Sequence, residues 1–331
     1  MALDPNRYCL GRAEHRAIFE SRIKRFCLRN ATPAKHPVAI IFGGQPGAGK
    51  SATVEAAKNE LIPRGGAVEI IGDDLRTFQP HYARLLEEDD KTAAFYTDRD
   101  TGLWVEMLID AAKARRTNIV IEGTMRDHAK VAATLKGLRT AGYQTEARIL
   151  AVNPRLSEQG ILHRYEKQKL AMGFGRMTTP EAHQAALDGM LATVTRIEED
   201  RLADRVTVCR RGNVVIYSNE FSEGEWMHEP RAAAVIMEER GRSMTLEEMR
   251  GYVQGFGELA RMLARPERQA SAEERRRVDD LRRQASAEER RLVDHLRWQA
   301  HIERTVRRME AIKRAAKMAK ETPSEGTPPL P

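Results

Sequence analysis

The sequence predicts an α/β protein in which helices cover both faces of a mostly parallel sheet and a helical extension follows on the C-terminal side. Short apolar runs that suit buried strands alternate with longer helical stretches; the runs lie at residues 38–42, 68–71, 118–121, 146–152, 206–208 and 214–217. Helices between strands favour parallel pairing, because a crossover must bring the chain back to the same end of the sheet. The last two runs are separated by Arg211-Gly212-Asn213, which predicts an edge hairpin.

The helices of this predicted core have recognisable ends. A first helix, from about residue 8 to residue 29, carries apolar residues at helical spacing, namely Ile18, Phe19, Ile23 and Phe26. Two later helices begin with an N-cap residue followed by proline, at Asn153-Pro154 and at Thr179-Pro180. These signals place one helix before the sheet and two between its later strands.

Changes in composition divide the chain into five predicted segments. Residues 1–36 form an N-terminal helix, and residues 37–220 form the core. Residues 221–264 are a helical segment that packs on the core or leads away from it, and residues 265–320 are a charged helical extension. The last residues, 321–331, are rich in Pro, Ser and Thr, and their composition predicts a disordered tail.

The extension contains a 15-residue internal repeat, RQASAEERRRVDDLR followed by RQASAEERRLVDHLR. It holds 17 Lys and Arg against 10 Asp and Glu, so its net charge of +7 equals that of the whole chain. Its thin apolar stripe and dense charges favour a solvated, salt-bridged helical hairpin or a coiled-coil oligomerisation arm. Two alternatives stay open for the extension. It inhibits the core in cis, or it binds nucleic acid or a membrane surface through its arginines.

Cysteine content and hydropathy indicate the cellular compartment of the protein. Cys9, Cys27 and Cys209 are widely separated and give neither a disulfide framework nor a metal-binding spacing. The first residues lack the apolar stretch of a signal peptide, and no apolar run approaches the roughly 20 residues of a membrane span. The sequence therefore predicts a cytoplasmic protein without a membrane partner.

The first predicted strand is followed by Gly-x-x-x-x-Gly-Lys-Ser, the pattern of a phosphate-binding loop (P-loop). Glycines let the backbone N–H groups turn toward phosphate, Lys50 reaches the β- and γ-phosphates, and the Ser51 hydroxyl coordinates Mg²⁺. The predicted ATP-binding residues are Gly44, Gln45, Pro46, Gly47, Ala48, Gly49, Lys50 and Ser51. The loop identifies a P-loop nucleotide-binding protein and does not by itself distinguish a small-molecule kinase from a GTPase, an ATPase motor or a nucleotide monophosphate kinase.

Polar residues follow the next two predicted strands. Asp73 and Asp74 come after the second strand, and Glu122 ends the third. The carboxyl ends of parallel strands meet at one edge, where ligands bind in open α/β sheets. A carboxylate there suits a base for an attacking hydroxyl, Asp74 suits a cap for the next turn, and Glu122 suits water-mediated binding of Mg²⁺.

Six segments appear in the order GGQPGAGKS, IIGDDLRTFQPHY, WVEMLIDAA, IVIEGTMRD, HRYEKQ and GRMTTPEAH. From Phe42 to about Tyr217 the chain thereby resembles the zeta-toxin kinases of bacterial toxin–antitoxin systems. The resemblance implies an ATP- and Mg²⁺-dependent transfer of phosphate to the 3′-hydroxyl of UDP-N-acetylglucosamine. It also implies a small helical antitoxin as partner.

The resemblance assigns roles to single residues. Asp73 matches the base, and Lys50, Arg164 and Arg176 match the cations that stabilise the transferring phosphoryl group. Glu106, Thr124 and Arg126 match the residues that hold the substrate. Ser51 and Glu122 are the predicted Mg²⁺ residues.

Two alternative functions stay open at the level of sequence. A kinase of this lineage can act on NAD or on another UDP-sugar, since acceptor choice depends on residues between the motifs. Alternatively, the P-loop is an ATP-dependent switch in an assembly protein whose basic segment, residues 265–320, binds nucleic acid.

Overall fold

Seven strands form one sheet, and the computed structural model describes residues 4–321 of the chain, with side chains from residue 4 to residue 314. The strands are β1 (Val38–Gly43), β2 (Ala67–Ile71), β3 (Asn118–Glu122), β4 (Gln144–Leu150), β5 (Arg205–Arg210), β6 (Val214–Ser222) and β7 (Glu225–Trp226). They lie in the order β2-β3-β1-β4-β5-β6-β7. Strands β1 to β5 pair in parallel, and β6 and β7 are antiparallel additions at one edge. The predicted fold class and edge hairpin are confirmed.

Helices fill the connections between the strands. Their bounds are α1 (Arg12–Ile18), α2 (Lys24–Cys27), α3 (Lys50–Leu61), α4 (Gly72–Leu75), α5 (Tyr82–Glu88), α6 (Ala93–Arg115), α7 (His128–Thr140), α8 (Pro154–Met172), α9 (Pro180–Glu199), α10 (Ala232–Gly241), α11 (Leu246–Leu263) and α12 (Ala272–Glu321). The π-helical turn Phe19–Ile23 joins α1 to α2, and three 3₁₀ turns lie at Ile62–Arg64, Arg76–Phe78 and Pro266–Arg268. Strand β1 is buried along its whole length, as expected for a strand covered on both faces.

The main hydrophobic core lies between the sheet and its helices. Fully buried members come from strands and helices alike, including Trp104, Leu108, Ile119, Leu135 and Ile149. The predicted N-terminal helix is shorter than expected and contains a π turn. It buries Phe19 and Ile23, but Phe26 is 53% exposed and was wrongly placed on the buried face.

Local capping signals were read correctly at two helices and wrongly at a third. The Asn153 side chain accepts a hydrogen bond from the Arg155 N–H, and the Thr179 hydroxyl accepts one from the Ala182 N–H. Both helices carry proline in the first turn, as predicted. Asp74, in contrast, lies inside α4, whose N-cap is Ile71, so its predicted cap role is wrong. Strand β2 continues directly into that helical turn and leaves no capping position for Asp74.

The described chain forms two compact units. The first comprises residues 4–243 with residues 258–271, and the second comprises residues 244–257 with the chain from residue 272. In the second unit, the Thr245 hydroxyl accepts from the Glu248 N–H while the Glu248 carboxylate accepts from the Thr245 N–H, which is a capping box. The five predicted segments remain a prediction.

Helix α12 runs unbroken through the 15-residue repeat, so the repeat does not form a helical hairpin. Val278 and Ala285 are buried, whereas the described side chains from Asp294 onward are exposed. Acid–base pairs along the helix include Arg307 with Glu303 and Arg314 with Glu310. Apart from Glu321, which ends α12, the predicted tail at 321–331 lies outside the described residues. None of the helices in the described part of the chain has the length and hydrophobicity that crossing a membrane requires.

Candidate active site

The loop between β1 and α3 has the conformation that the glycine-rich pattern predicts. Gly47 and Gly49 have φ angles of 76° and 91°, a region that side chains other than glycine rarely adopt. Lys50 is the first residue of α3 and Ser51 the second, so the N–H groups of the first helical turn face the loop. A helix N-terminus of this kind attracts anions, and phosphate is the anion that such a loop holds.

Lys50 lies buried at the centre of the loop. Its Nζ donates to the carbonyl oxygens of Gly44 at 2.7 Å and Gln45 at 3.3 Å, and it lies 3.9 Å from Oε1 of Glu122. Burial lowers the pKa of Lys50 to about 8, and the Glu122 carboxylate only partly opposes this shift. Burial also raises the pKa of Glu122. The site therefore contains a desolvated cation that an anionic ligand would stabilise.

Helix α8 packs directly against the loop. A Cβ on Gly160 would lie 2.2 Å from the carbonyl oxygen of Gly47, which no real side chain tolerates. Gln45 is completely buried, and its Nε2 donates to the Val152 carbonyl at 2.8 Å and to the Ser157 hydroxyl at 3.3 Å. The phosphate-binding loop is thus held by the helix that carries Arg164.

Two arginines outside the predicted set also contact this loop. Arg211, in the β5–β6 turn, donates to the carbonyl oxygens of Ala48 at 3.0 Å and Gly47 at 2.9 Å. Arg240, on α10, donates to Oε1 of Gln45 at 3.4 Å, and burial lowers its pKa to about 10. Neither residue belongs to a motif, and each lies more than 160 residues along the chain from its partner, so no sequence signal identified them.

Asp73 and Arg176, which the sequence places about a hundred residues apart, form an ion pair. Asp73 also accepts from Nε of Arg76 at 3.3 Å, and its carboxylate is 45% exposed. Arg76 is buried, and its Nη2 donates to Oδ1 of Asp98 at 2.6 Å. Burial lowers the pKa of Arg176 to about 10, which leaves it cationic at neutral pH. The candidate base is therefore accessible and held between two guanidinium groups.

Arg164 completes a group of charges around Lys50. Its Nη2 donates to the Thr178 hydroxyl at 2.9 Å, whereas its Nε is buried without a hydrogen-bond partner among the described residues. Burial lowers the pKa of Arg164, and the positive charges of Arg164 and Arg176 lower the pKa of Lys50 further. The structure thus brings Lys50, Glu122, Arg164 and Arg176 into one electrostatic cluster.

The three predicted substrate-holding residues belong to helix α6 and to the turn after β3. Arg126 is half-exposed and lies 3.7 Å from Asp98, the carboxylate that also binds Arg76. Glu106, on α6, pairs with Lys130 at 2.8 Å. Thr124 is partly buried in the turn after β3. Arg126 therefore connects to the candidate base through a chain of charges that runs over Asp98 and Arg76.

The donor chemistry of the loop fits Mg²⁺. Ser51 is exposed at the start of α3, and the Glu122 carboxylate ends β3 beside Lys50. Mg²⁺ takes few protein ligands and fills the rest of its octahedron with water and phosphate oxygens. One hydroxyl and one carboxylate beside a phosphate loop are compatible with that requirement.

Comparisons with known proteins identify the family of the chain. The zeta toxin family model matches residues 24–222. Toxin PezT of Streptococcus pneumoniae is 30% identical over 233 residues, which are 66% of this chain and 91% of that toxin. Toxin zeta of Streptococcus agalactiae is 26% identical over 205 residues, 61% of this chain and 71% of that toxin.

A solved structure from the PezAT chromosomal toxin–antitoxin system of Streptococcus pneumoniae shares the fold. It superposes with a TM-score of 0.67 at 26% identity, over 78% of this chain and all of that one. The family match covers the P-loop, both polar sheet-edge segments, Arg164 and Arg176. The chain has a kinase-like P-loop fold and belongs to the zeta toxin family.

Proposed function

We propose that this protein transfers the γ-phosphate of ATP to the 3′-hydroxyl of UDP-N-acetylglucosamine and acts as the toxin of a toxin–antitoxin system. The observation that carries the proposal is the Asp73–Arg176 ion pair beside the buried Lys50. A nucleotide switch needs the P-loop but has no use for an accessible carboxylate paired with a cation next to it. A kinase needs both, because one group must receive the proton and another must stabilise the moving charge.

On the donor side, the loop Gly44–Ser51 and the N-terminus of α3 hold the triphosphate. Lys50 exchanges its backbone carbonyl partners for phosphate oxygens, which offsets the cost of its burial. Mg²⁺ bound with ATP would neutralise phosphate charge, and the Ser51 hydroxyl and the Glu122 carboxylate would hold it.

On the acceptor side, Asp73 orients the sugar hydroxyl and receives its proton. The new bond joins the hydroxyl oxygen to the γ-phosphorus, the bond from that phosphorus to the bridging oxygen breaks, and ADP leaves. Lys50, Arg164 and Arg176 stabilise the negative charge on the transferring group. Glu106, Thr124 and Arg126 hold the acceptor, with Arg126 suited to a diphosphate because guanidinium groups make paired hydrogen bonds to such oxyanions.

An antitoxin is the proposed protein partner. The similar structure comes from a toxin–antitoxin system, which supports this assignment. Nucleic acid is the less favoured partner, because the arginines of α12 are interleaved with acidic residues that pair with them, such as Glu303 and Glu310.

The test is to incubate the full chain with ATP, Mg²⁺ and separate acceptors, and to detect phosphorylated products by mass spectrometry. The panel contains UDP-N-acetylglucosamine, UDP-glucose and NAD, and Lys50→Met serves as the inactive control. We expect one added phosphate on UDP-N-acetylglucosamine with the wild type only. Phosphate on NAD or on another UDP-sugar alone would reassign the acceptor. ATP binding without transfer to any acceptor would favour the switch.

A further inference from the structure

A buried ion pair joins the residues after α11 to helix α8. Arg268, at the end of the 3₁₀ turn Pro266–Arg268, donates from Nε to Oε2 of Glu166 at 2.5 Å and from Nη2 to Oε1 at 3.1 Å. The two side chains are 5% and 9% exposed. Both residues belong to the first unit, although Arg268 lies outside the family match at residues 24–222. A two-point contact between a guanidinium and a carboxylate fixes orientation as well as distance.

Backbone hydrogen bonds hold the turn that carries Arg268. The Arg268 N–H donates to the Arg265 carbonyl at 3.1 Å, and the Gln269 N–H donates to the Pro266 carbonyl at 3.3 Å. Gln269 has a φ of 47°, a left-handed conformation that costs a residue with a Cβ about 1 kcal/mol or more. Such a conformation persists only where the surrounding contacts fix it, which here include the buried pair.

The loop between α8 and α9, residues 173–179, contacts other residues of the same part of α8. Gln168 Oε1 accepts from the Arg176 N–H at 2.8 Å, and Arg164 donates to Thr178. A Cβ on Gly175 would lie 2.5 Å from the Tyr165 carbonyl oxygen, so the loop lies directly on the helix. The position of Arg176 therefore depends on the position of α8.

Glu166 lies on a different side of the helix from these contacts. With 3.6 residues per turn, each residue advances about 100°, so Glu166, two residues from both Arg164 and Gln168, lies about 160° around the helix from each of them. The end of α8 is thus held on one side by the loop that carries Arg176 and on the opposite side by Arg268.

We propose that Arg268 is a positioning residue for phosphoryl transfer: through Glu166 it fixes the last turns of α8 and thereby the placement of Arg164 and Arg176. This inference rests on the proposed function for its consequence in catalysis. It makes the short segment 258–271, beyond the family match, a part of the catalytic unit.

The kinetic test compares Arg268→Ala with Arg265→Ala, an exposed neighbour that pairs with the exposed Glu267 at 3.9 Å. We expect Arg268→Ala to lower kcat about 10- to 100-fold with little change in KM for ATP, because misplacement of about 1 Å has such an effect on transfer. Arg268→Lys keeps the charge without the paired geometry and should restore only part of the loss. It is also the variant to use if Arg268→Ala does not fold.

A double-mutant cycle separates positioning from simple loss of stability. In an Arg164→Ala background, Arg268→Ala should lower kcat by a smaller factor, since part of its effect acts through Arg164. The same factor in both backgrounds would overturn the proposal, as would a kcat for Arg268→Ala within about twofold of wild type, the scatter of independent sites.

Amide hydrogen exchange of the full chain tests the structural step without turnover. Arg268→Ala should speed exchange in residues 164–178 and leave strands β1 and β3 unchanged, while Arg265→Ala should change neither. Unchanged exchange in residues 164–178 would contradict the proposal even if no acceptor is found. Absence of phosphate transfer by the wild type would instead count against the proposed function alone.

Discussion

Lys50 must be buried in the loop to reach phosphate, yet burying its charge is unfavourable when no phosphate is bound. Its ammonium group is buried and donates to the neutral carbonyl oxygens of Gly44 and Gln45, and the Glu122 carboxylate lies 3.9 Å away. An ionised group in this setting lacks the hydration that it has in the unfolded chain. The pKa of Lys50 falls from an ordinary value of 10.5 to about 8 for this reason. The residue that prepares the loop for phosphate therefore destabilises the empty loop.

Replacing Lys50 by Met should stabilise the nucleotide-free protein at pH 7, by about 1 to 3 kcal/mol. Below pH 8 Lys50 is protonated in the folded and in the unfolded chain. The cost of burying its charge therefore lowers the free energy of unfolding by its full amount. Between pH 8 and 10.5 the unfolded chain binds more protons at this group, so the free energy of unfolding of the wild type rises with pH. The advantage of Lys50→Met should therefore shrink across that window, as measured by urea denaturation.

Lys58→Met, on the same helix but partly exposed, provides the control. Lys58 pairs with Glu55 and Glu69 near the surface, so its loss should destabilise the protein by about 1 kcal/mol or less. A Lys50→Met protein less stable than the wild type at pH 7 would show that burial does not dominate the energetics of Lys50.

Site residues differed in how far sequence could predict them. The loop residues Gly44–Ser51 were predictable because a phosphate loop is built from consecutive residues whose backbone conformation the glycines determine. Asp73 and Arg176 needed the family resemblance for their roles. Arg211, Arg240 and Arg268 could not be predicted, because each acts on a residue more than 100 positions away and arginine alone carries no positional signal.

At the scale of elements, the packing of α8 on the phosphate loop depends on two glycines. The Cβ that alanine would add at Gly160 lies 2.2 Å from the Gly47 carbonyl oxygen and 3.1 Å from its carbon. Both neighbours are backbone atoms, so the loop or the helix must move to make room. Any such movement also shifts the N–H groups that hold phosphate.

Gly160→Ala should therefore destabilise the protein by about 2 to 3 kcal/mol and weaken ATP binding as well. The matched control is Gly137→Ala in α7, where the nearest atom to a new Cβ is the mobile Nζ of Lys113 at 3.9 Å. That change should stabilise the protein by up to about 1 kcal/mol, since alanine favours helix over glycine. Calorimetric titration with ATP and thermal unfolding measure both effects. Unaltered ATP affinity in Gly160→Ala would contradict the close packing of α8 on the loop.

Features of these elements that depend on residues close together in the chain could be predicted, and those that depend on tertiary contacts could not. Helix starts at Asn153 and Thr179 were predictable because a cap and its N–H partner lie within three residues. The π turn at Phe19–Ile23 was not, because tertiary packing of Phe19 and Ile23 decides it. Nor was the single helix α12, since a repeat of 15 residues suits one long helix and a hairpin equally well.

At the scale of the whole molecule, the described chain forms two compact units. The residues of the second unit include buried Met249, Tyr252 and Phe256 and, on α12, buried Val278 and Ala285. The candidate active site belongs entirely to the first unit. Two units of this kind predict two unfolding transitions, of which only one responds to nucleotide.

Scanning calorimetry of the full chain should resolve these transitions, and ATP with Mg²⁺ should raise only one of them. Ala285→Asp buries an unpaired carboxylate and should lower the other transition, with unchanged ATP affinity. Ala300→Asp, at an exposed position of the same helix, should leave both transitions in place. A single transition that moves as a whole in Ala285→Asp would contradict the division into two units.

In the proposed reaction, Asp73 acts on the acceptor while Lys50 and its loop bind ATP. The experiment that separates these roles measures transfer of labelled γ-phosphate to UDP-N-acetylglucosamine and ATP affinity on the same preparations of wild type and Asp73→Asn. We predict that Asp73→Asn binds ATP as the wild type does but transfers phosphate about a thousandfold more slowly, because the amide cannot receive the proton. Transfer at the wild-type rate, or loss of ATP binding together with transfer, would contradict these roles.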